Sequence, residues 1–321
     1  FSCVGDGIQE CRNTWEHKKW NITDFPEFEL AITIDRPELY YDFLQKDWTR
    51  FCHDYWKNNF LEHHTLSKKR VTRIYIGNQF CHNLFPKKKL LFQVLEKALE
   101  NNLAVTLAFS YIRNHLLEEI DELLQELEVW CQSREKEAGK DQEEIIVNDW
   151  AMPILLQGKP HLKPVLGVLL NKRRKDVRLP YKQGIGNHVD SLAENNLNCG
   201  FYQDYLKNTF DIQRFEFESC GYKVTIPDGH HSLHLPFFQT NTSQYCTLYA
   251  VCRYGDRGKQ KLPENCPKYC EQKVFLYPKH LKMVGRYNSL FGYDEKILWD
   301  EKQLQDYLEQ GIDRIVVNVS L

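Results

Sequence analysis

Short runs of β-branched and aromatic residues recur along the chain, separated by stretches whose apolar positions fall at helical spacing. In the first half they are residues 29–35 (ELAITID), 71–76 (VTRIYI), 103–109 (LAVTLAF) and 144–147 (EIIV). The second half adds residues 164–170 (PVLGVLL), 212–217 (IQRFEF), 232–237 (SLHLPF) and 313–318 (DRIVVN). Eight such strands alternating with helices predict an α/β fold, a (β/α)8 TIM-barrel-like single domain. Residues 116–130 place apolar groups at helical spacing beside a carboxylate-rich face, the pattern of an outer-layer helix. Residues 134–143 are almost all charged or small and read as a surface linker. The organisation expected is an N-terminal extension over residues 1–28 followed by the barrel over 29–321. The longest interval between strands, from Phe237 to Asp313, carries clustered cysteines, glycines and prolines, which favour irregular loop over helix. The expectation is therefore a cysteine-rich loop at 238–275, after the seventh strand.

Composition narrows the function classes. Hydrophobic residues make up 42% and charged residues 27% of 321, the profile of a folded globular chain. With 42 basic and 44 acidic residues the formal charge is −2, so no global field would hold the protein on a nucleic acid or an anionic membrane. No apolar run approaches the roughly 18 residues of a membrane span, and no basic stretch leads into an apolar segment of signal-peptide type after Phe1-Ser2-Cys3. A reducing cytoplasm is the expected compartment. Gly-x-Gly-x-x-Gly, Walker, His-Glu-x-x-His and Gly-x-Ser-x-Gly patterns are missing, which leaves nucleotide hydrolysis and serine-hydrolase chemistry without support.

Eleven cysteines, odd in number and unevenly spread, do not form an obvious disulfide framework. Four of them, Cys246, Cys252, Cys266 and Cys270, fall within 25 residues. Thiolates bind zinc and iron-sulfur clusters because both take soft, anionic, convergent sulfur ligands. Structural zinc usually shows paired C-x2-C knuckles, and this spacing has none. Disulfides or simply buried thiols are the alternatives.

Several segments resemble one family. Tyr75-Ile76-Gly77 followed by Cys81, Tyr249 to Cys252, and the run Cys266-Pro267-Lys268-Tyr269-Cys270 are similar to segments of the collagenase-like peptidase family U32, most of all its ubiquinone-biosynthesis accessory branch. Asn148-Asp149-Trp150 and Leu170-Asn171 resemble further segments, so the likeness runs from about residue 70 to about 275. Trp150-Ala151 departs from the small residue and glycine usual there. The resemblance implies a barrel carrying a four-iron, four-sulfur cluster on Cys81, Cys252, Cys266 and Cys270, with Cys246 the alternative to Cys81 as fourth ligand. It implies oxygen-independent hydroxylation of a small molecule or an RNA, by this chain or by a hydroxylase of which it is one subunit. The alternative is a non-catalytic iron-sulfur partner in a heterodimer with a second family member. A peptidase, as the family name suggests, would need a nucleophile and base that the sequence does not display.

Other residues are weighed on position. Loops after barrel strands share one face, so Cys81, Asp149 and Asn171 are expected at the same mouth, with Asp149 and Asn171 as substrate contacts. Both are also common helix caps and turn formers. Glu216 and Glu218 alternate with Phe215 and Phe217, so both carboxylates share one side, and Glu218 at the strand end is the third candidate substrate contact. The basic run of residues 172–175 reads as a solvated loop or an anion contact. His230, His231 and His234 read more readily as structural than as chemical groups.

Overall fold

Alternation decides the strands. In β1 (Glu29–Ile34) Glu29, Ala31 and Thr33 face one way and Leu30, Ile32 and Ile34 the other, and both faces are covered. A computed structural model of the chain describes residues 2–3, 13, 15–21, 26–138, 143–179, 192–263 and 265–319. The sheet continues with β2 (Arg73–Gly77), β3 (Ala104–Ala108), β4 (Glu143–Val147), β5 (Leu162–Leu166), β6 (Glu216–Glu218) and β7 (His231–Leu235). An excursion through β8 (Phe237–Thr242), β9 (Lys273–Leu276), β10 (Met283–Arg286) and β11 (Ser289–Tyr293) intervenes before β12 (Ile312–Val317) rejoins it.

The barrel strands run in the order β5-β4-β3-β2-β1-β12-β7-β6, every pair parallel. A bridge between Leu166 and Phe215, with Leu166 N donating to the Arg214 carbonyl at 3.0 Å, brings β5 back to β6 and closes the ring. All eight expected strands are present.

Around the ring lie α1 (Pro37–Gln45) and α2 (Trp48–Asn58) after β1, α3 (Lys88–Glu100) after β2, and α4 (Leu117–Ala138) after β3. Then come α5 (Ala151–Leu155) after β4 and α6 (Gly200–Phe210) after β5, while α7 (Thr247–Tyr254) belongs to the excursion and α8 (Glu301–Glu309) precedes β12. Their apolar stripes seal the outside of the sheet. In α3, Leu91, Val94, Leu95 and Ala98 recur at i, i+3, i+4 and i+7, and all are buried. Each Leu or Val so buried contributes about 1.5–3 kcal/mol. Asp47 and Asp300 cap α2 and α8 by accepting from the amides of Arg50 and Gln303. Trp15 and Trp20, in the expected N-terminal extension, are buried and donate to the carbonyls of Asn59 and Ile297, so the described part of that segment packs on the barrel.

Two expectations are corrected. Residues 134–138 continue α4, and Arg134 reaches back to Glu143 at 3.0 Å, while 139–142 lie outside the described residues. The interval read as irregular loop is largely regular: β8, β11, β10, β9 and the two-residue strand Ser2–Cys3 form an antiparallel sheet in that order, and α7 lies within it. No helix among the described residues is long and apolar enough to cross a membrane.

The barrel interior is polar. Its apolar cluster is small, with Ala31, Tyr75, Ala108, Ile146, Val165 and Val316. Below these an ionic layer fills the cross-section. Arg314 holds Glu144 through its two terminal nitrogens, at 2.6 and 3.0 Å, and Glu29 through Nε at 2.6 Å. Arg73 bonds Glu29 at 2.9 Å, and Thr106 donates to Glu144 at 2.8 Å. Burial acts to raise the Glu144 carboxyl, but Arg73 and Arg314 outweigh it and hold Glu144 down to about 2.

Candidate functional site

β2 ends at Gly77, whose φ of +108° suits glycine; a Cβ there would stand 2.6 Å from the Ala108 carbonyl oxygen. The next residue, Asn78, accepts from the amides of Phe80 and Cys81, both at 2.9 Å, and this turn sets Cys81 at the mouth. On the excursion, Cys246 is the N-cap of α7: its sulfur accepts from Tyr249 N at 3.3 Å and its thiol donates to the Tyr287 carbonyl at 3.1 Å. Cys266 and Cys270 flank Lys268, which takes a left-handed φ of +51°, and Arg286 Nε fixes the Cys270 carbonyl at 3.0 Å.

These segments meet. Cys81, Cys246, Cys266 and Cys270 line one cavity, which encloses about 490 Å³ between atoms, part of it open to solvent. Cys252, expected among the ligands, does not line it. Six residues beyond Cys246 on a helix of 100° per residue, it comes out well away from the Cys246 face. It stands near enough to Cys246 to add slightly to that thiol's proton affinity. Cys246, the alternative to Cys81 in the sequence reading, lines the cavity alongside Cys81.

Burial pushes the Cys81 thiol up to about 12 and Cys246 up to about 11, and raises Cys270 further, with the neighbouring thiols of the set adding to each. Cys81, Cys246 and Cys270 are therefore protonated at neutral pH when bare, and a ligand that wants thiolates must displace their protons. Among the described residues no three His, Cys, Asp or Glu side chains are placed to hold a single metal ion. The four thiols surround a volume and do not converge on a point. Two other lining residues, Arg113 and Tyr287, carry a buried Nε and a buried hydroxyl without hydrogen-bond partners. Tyr287 sits at the β10–β11 hairpin tip with φ of +57°, a conformation that costs a non-glycine residue about 1–3 kcal/mol.

The three candidate substrate contacts diverge. Asp149 accepts from the amides of Ile112, Ala151 and Met152, at 3.0 and 3.1 Å for the last two, so it holds the first turn of α5 and ties the β3 loop to the β4 loop. Asn171 is buried in an open cleft beside the thiols; its Nδ2 donates to the Glu216 carbonyl at 3.1 Å and its Oδ1 has no partner. Glu218 is buried, accepts from Gln239 N at 2.7 Å and pairs with Lys175. The basic run is not a solvated loop throughout. Arg173 turns inward onto Cys220 at 3.0 Å and onto the Glu218 carbonyl, while Lys172 and Arg174 remain exposed. Burial acts to lower Lys175, against the pull of Glu218. The pair separates the outer cleft, which Lys175 lines, from an inner cavity lined by Glu218.

His230 is exposed beside Asp313, and His231 is stacked on Phe215 with burial lowering it to about 4. His234 lines the inner cavity with Tyr75. Sequence reasoning passed over Arg113, Tyr287 and Tyr75 as site residues; the alternation of β2, β6 and β7 was the available signal for Tyr75, and none marked the others. No protein-family model matches the chain, and a search of curated proteins finds no match.

Proposed function

We propose that the chain is an iron-sulfur protein of the U32 type, acting in oxygen-independent hydroxylation of a small molecule or RNA, or as a subunit of such a hydroxylase. Cys81, Cys246, Cys266 and Cys270 are the ligands assigned to a four-iron, four-sulfur cluster. One observation carries the reading: four thiols from three separate segments line a single cavity. Their arrangement around a volume suits a multi-iron group, whose ligands attach at its periphery, better than one tetrahedral zinc. The unpartnered Arg113 Nε supports it too, since a donor beside cluster sulfur would find an acceptor there. When bound, such a cluster supplies electron transfer or, with one iron left open, a Lewis-acidic site. The residues of this chain hold it, bury it and, through Asn78, fix the strand-end ligand.

The test is iron and acid-labile sulfide content with a visible spectrum on anaerobically purified protein, beside single serine replacements. About four irons per chain are expected, lost in Cys81→Ser, Cys246→Ser, Cys266→Ser and Cys270→Ser but kept in Cys252→Ser. Zinc alone, no metal, or loss in Cys252→Ser with retention in Cys246→Ser would overturn the assignment.

An exposed aromatic group favours the second reading, a partner subunit. Trp150 packs at 6.1–6.5 Å against Tyr202, Tyr205 and Phe210, and Phe201 beside them is 82% exposed. Such patches mark interaction sites. Co-purification of a second chain, lost in Phe201→Ser with iron retained, supports this reading; hydroxylation by the isolated chain excludes it.

A further inference from the structure

Beneath the mouth, separated from the thiols by the turn from Gly77 to Cys81, lies the inner cavity, with about 470 Å³ of space between atoms, part of it open to solvent. Asp35, Tyr75, Gln79, Glu218 and His234 are among the residues that line it. His234 is 2% exposed, and its Nε2 stands 2.5 Å from Oε2 of Glu216, which is fully buried. Tyr75 closes the same group: its hydroxyl donates to Glu216 at 3.1 Å and accepts from Arg314 at 3.2 Å. With a carboxylate facing Nε2, that nitrogen keeps the proton of the neutral ring, and Nδ1 becomes an acceptor. Nδ1 has no partner among the described residues. Across the cavity Asp35 Oδ1 is likewise without a donor, and it is buried.

Two acceptors therefore belong to residues that line one cavity, and nothing among the described residues satisfies them. The charges around it are mainly negative. Lys175 is committed to Glu218, and Arg314 to Glu144 and Glu29, so an anion entering here would meet Asp35 with neither of these cations free to balance it.

We propose that this cavity is a binding site for a small uncharged or cationic molecule with two hydrogen-bond donors, a vicinal diol or an amino alcohol in type. One donor goes to Asp35 Oδ1 and the other to His234 Nδ1, and His234, backed by Glu216, is the base that takes a proton from the second. In that step the donor's X–H bond breaks with its electron pair left on X, and an N–H bond forms at Nδ1. Glu216, hydrogen-bonded to Nε2, fixes the ring and faces the imidazolium as the carboxylate of a catalytic triad does. The proposal does not depend on what the four thiols hold.

The test uses the full chain labelled with [15N]histidine, observed through its ring nitrogens and titrated with ethane-1,2-diol, ethanolamine and acetate. His234→Asn identifies the His234 signals by their loss. Expected are the Nε2–H tautomer in the free protein and a saturable shift of the Nδ1 signal with the diol or the amine, whichever saturates giving the charge class. Acetate is expected to leave the signal in place, and Asp35→Leu to weaken the binding at least tenfold with the other histidine signals unchanged. If Asp35→Leu does not fold, Glu216→Gln serves: its amide can donate to Nε2, so His234 should move toward the Nδ1–H tautomer and the probe should cease to bind. An Nδ1–H tautomer in the wild type, no saturation by either probe, an equal response to acetate, or binding unaltered in the folded variant would overturn the proposal.

Discussion

Replacing Glu144 by glutamine removes the negative centre of the ionic layer while keeping its shape. In the wild type the carboxylate receives both terminal nitrogens of Arg314, the hydroxyl of Thr106 and, at 3.4 Å, Arg73. A carboxyl that ordinarily titrates at 4.5 is held at about 2 by Arg73 and Arg314 in spite of its burial. At about 1.4 kcal/mol for each pH unit that difference contributes roughly 3 kcal/mol to folding. The folded-state value is the lower one, so this stability is nearly complete above about pH 4.5 and is lost as the pH falls through about 2. Breaking a buried ion pair by removing one partner gives the same scale, about 3–5 kcal/mol. Urea unfolding followed through the buried Trp15, Trp20 and Trp56 should place Glu144→Gln about 3 kcal/mol below wild type at neutral pH. The gap should narrow to about half near pH 3. A gap below about 1 kcal/mol at neutral pH, or one that stays constant into acid, would refute the account.

Three other outcomes follow from the thiol site. Gly77→Ala must push against the Ala108 carbonyl and the Phe85 ring, 2.6 and 2.7 Å away, and should lower stability by about 1–3 kcal/mol, read as a fall in melting temperature. Asn78→Ala frees the amides of Phe80 and Cys81; denaturant unfolding should show a loss of about 1 kcal/mol, with a larger proportional loss of bound iron. Because burial raises the proton affinity of Cys81 and Cys246, protons compete with metal, and iron retained against a chelator should fall as the pH is lowered from about 8 to about 6; retention independent of pH would contradict this.

The strands were legible because a parallel barrel asks for local signals, β-branched runs at even spacing, and each of the eight runs carries its own. Cys81 was legible for the same reason, since a residue four places after Gly77 at a strand end must lie at the mouth. The antiparallel sheet was not. Gly285 and Gly292 carry no strand signal, yet both sit inside strands, where a Cβ would meet Phe275 at 3.1 Å or the Phe238 ring at 2.4 Å. These glycines serve packing, and packing partners cannot be read from composition. The sequence left Cys81 and Cys246 as alternatives for one place, yet both line the cavity, and that Cys246 rather than Cys252 faces it depends on where α7 begins, which spacing does not show. Lys175 reads as solvated until Glu218, 43 residues away, is seen to bury it. Glu216 and His234 stand on neighbouring strands with the same inward alternation, so the sequence patterns of β6 and β7, laid side by side, are enough to pair them.

The ionic layer has a bearing on traffic. Arg314 lies one inward step below Val316, the register partner of His234, and its pairs with Glu29 and Glu144 span the waist of the barrel. The barrel is thus a cup with one opening and not a tube. A solute that reaches the floor leaves by the way it came, past Phe80 on one side and the Lys175–Glu218 pair on the other.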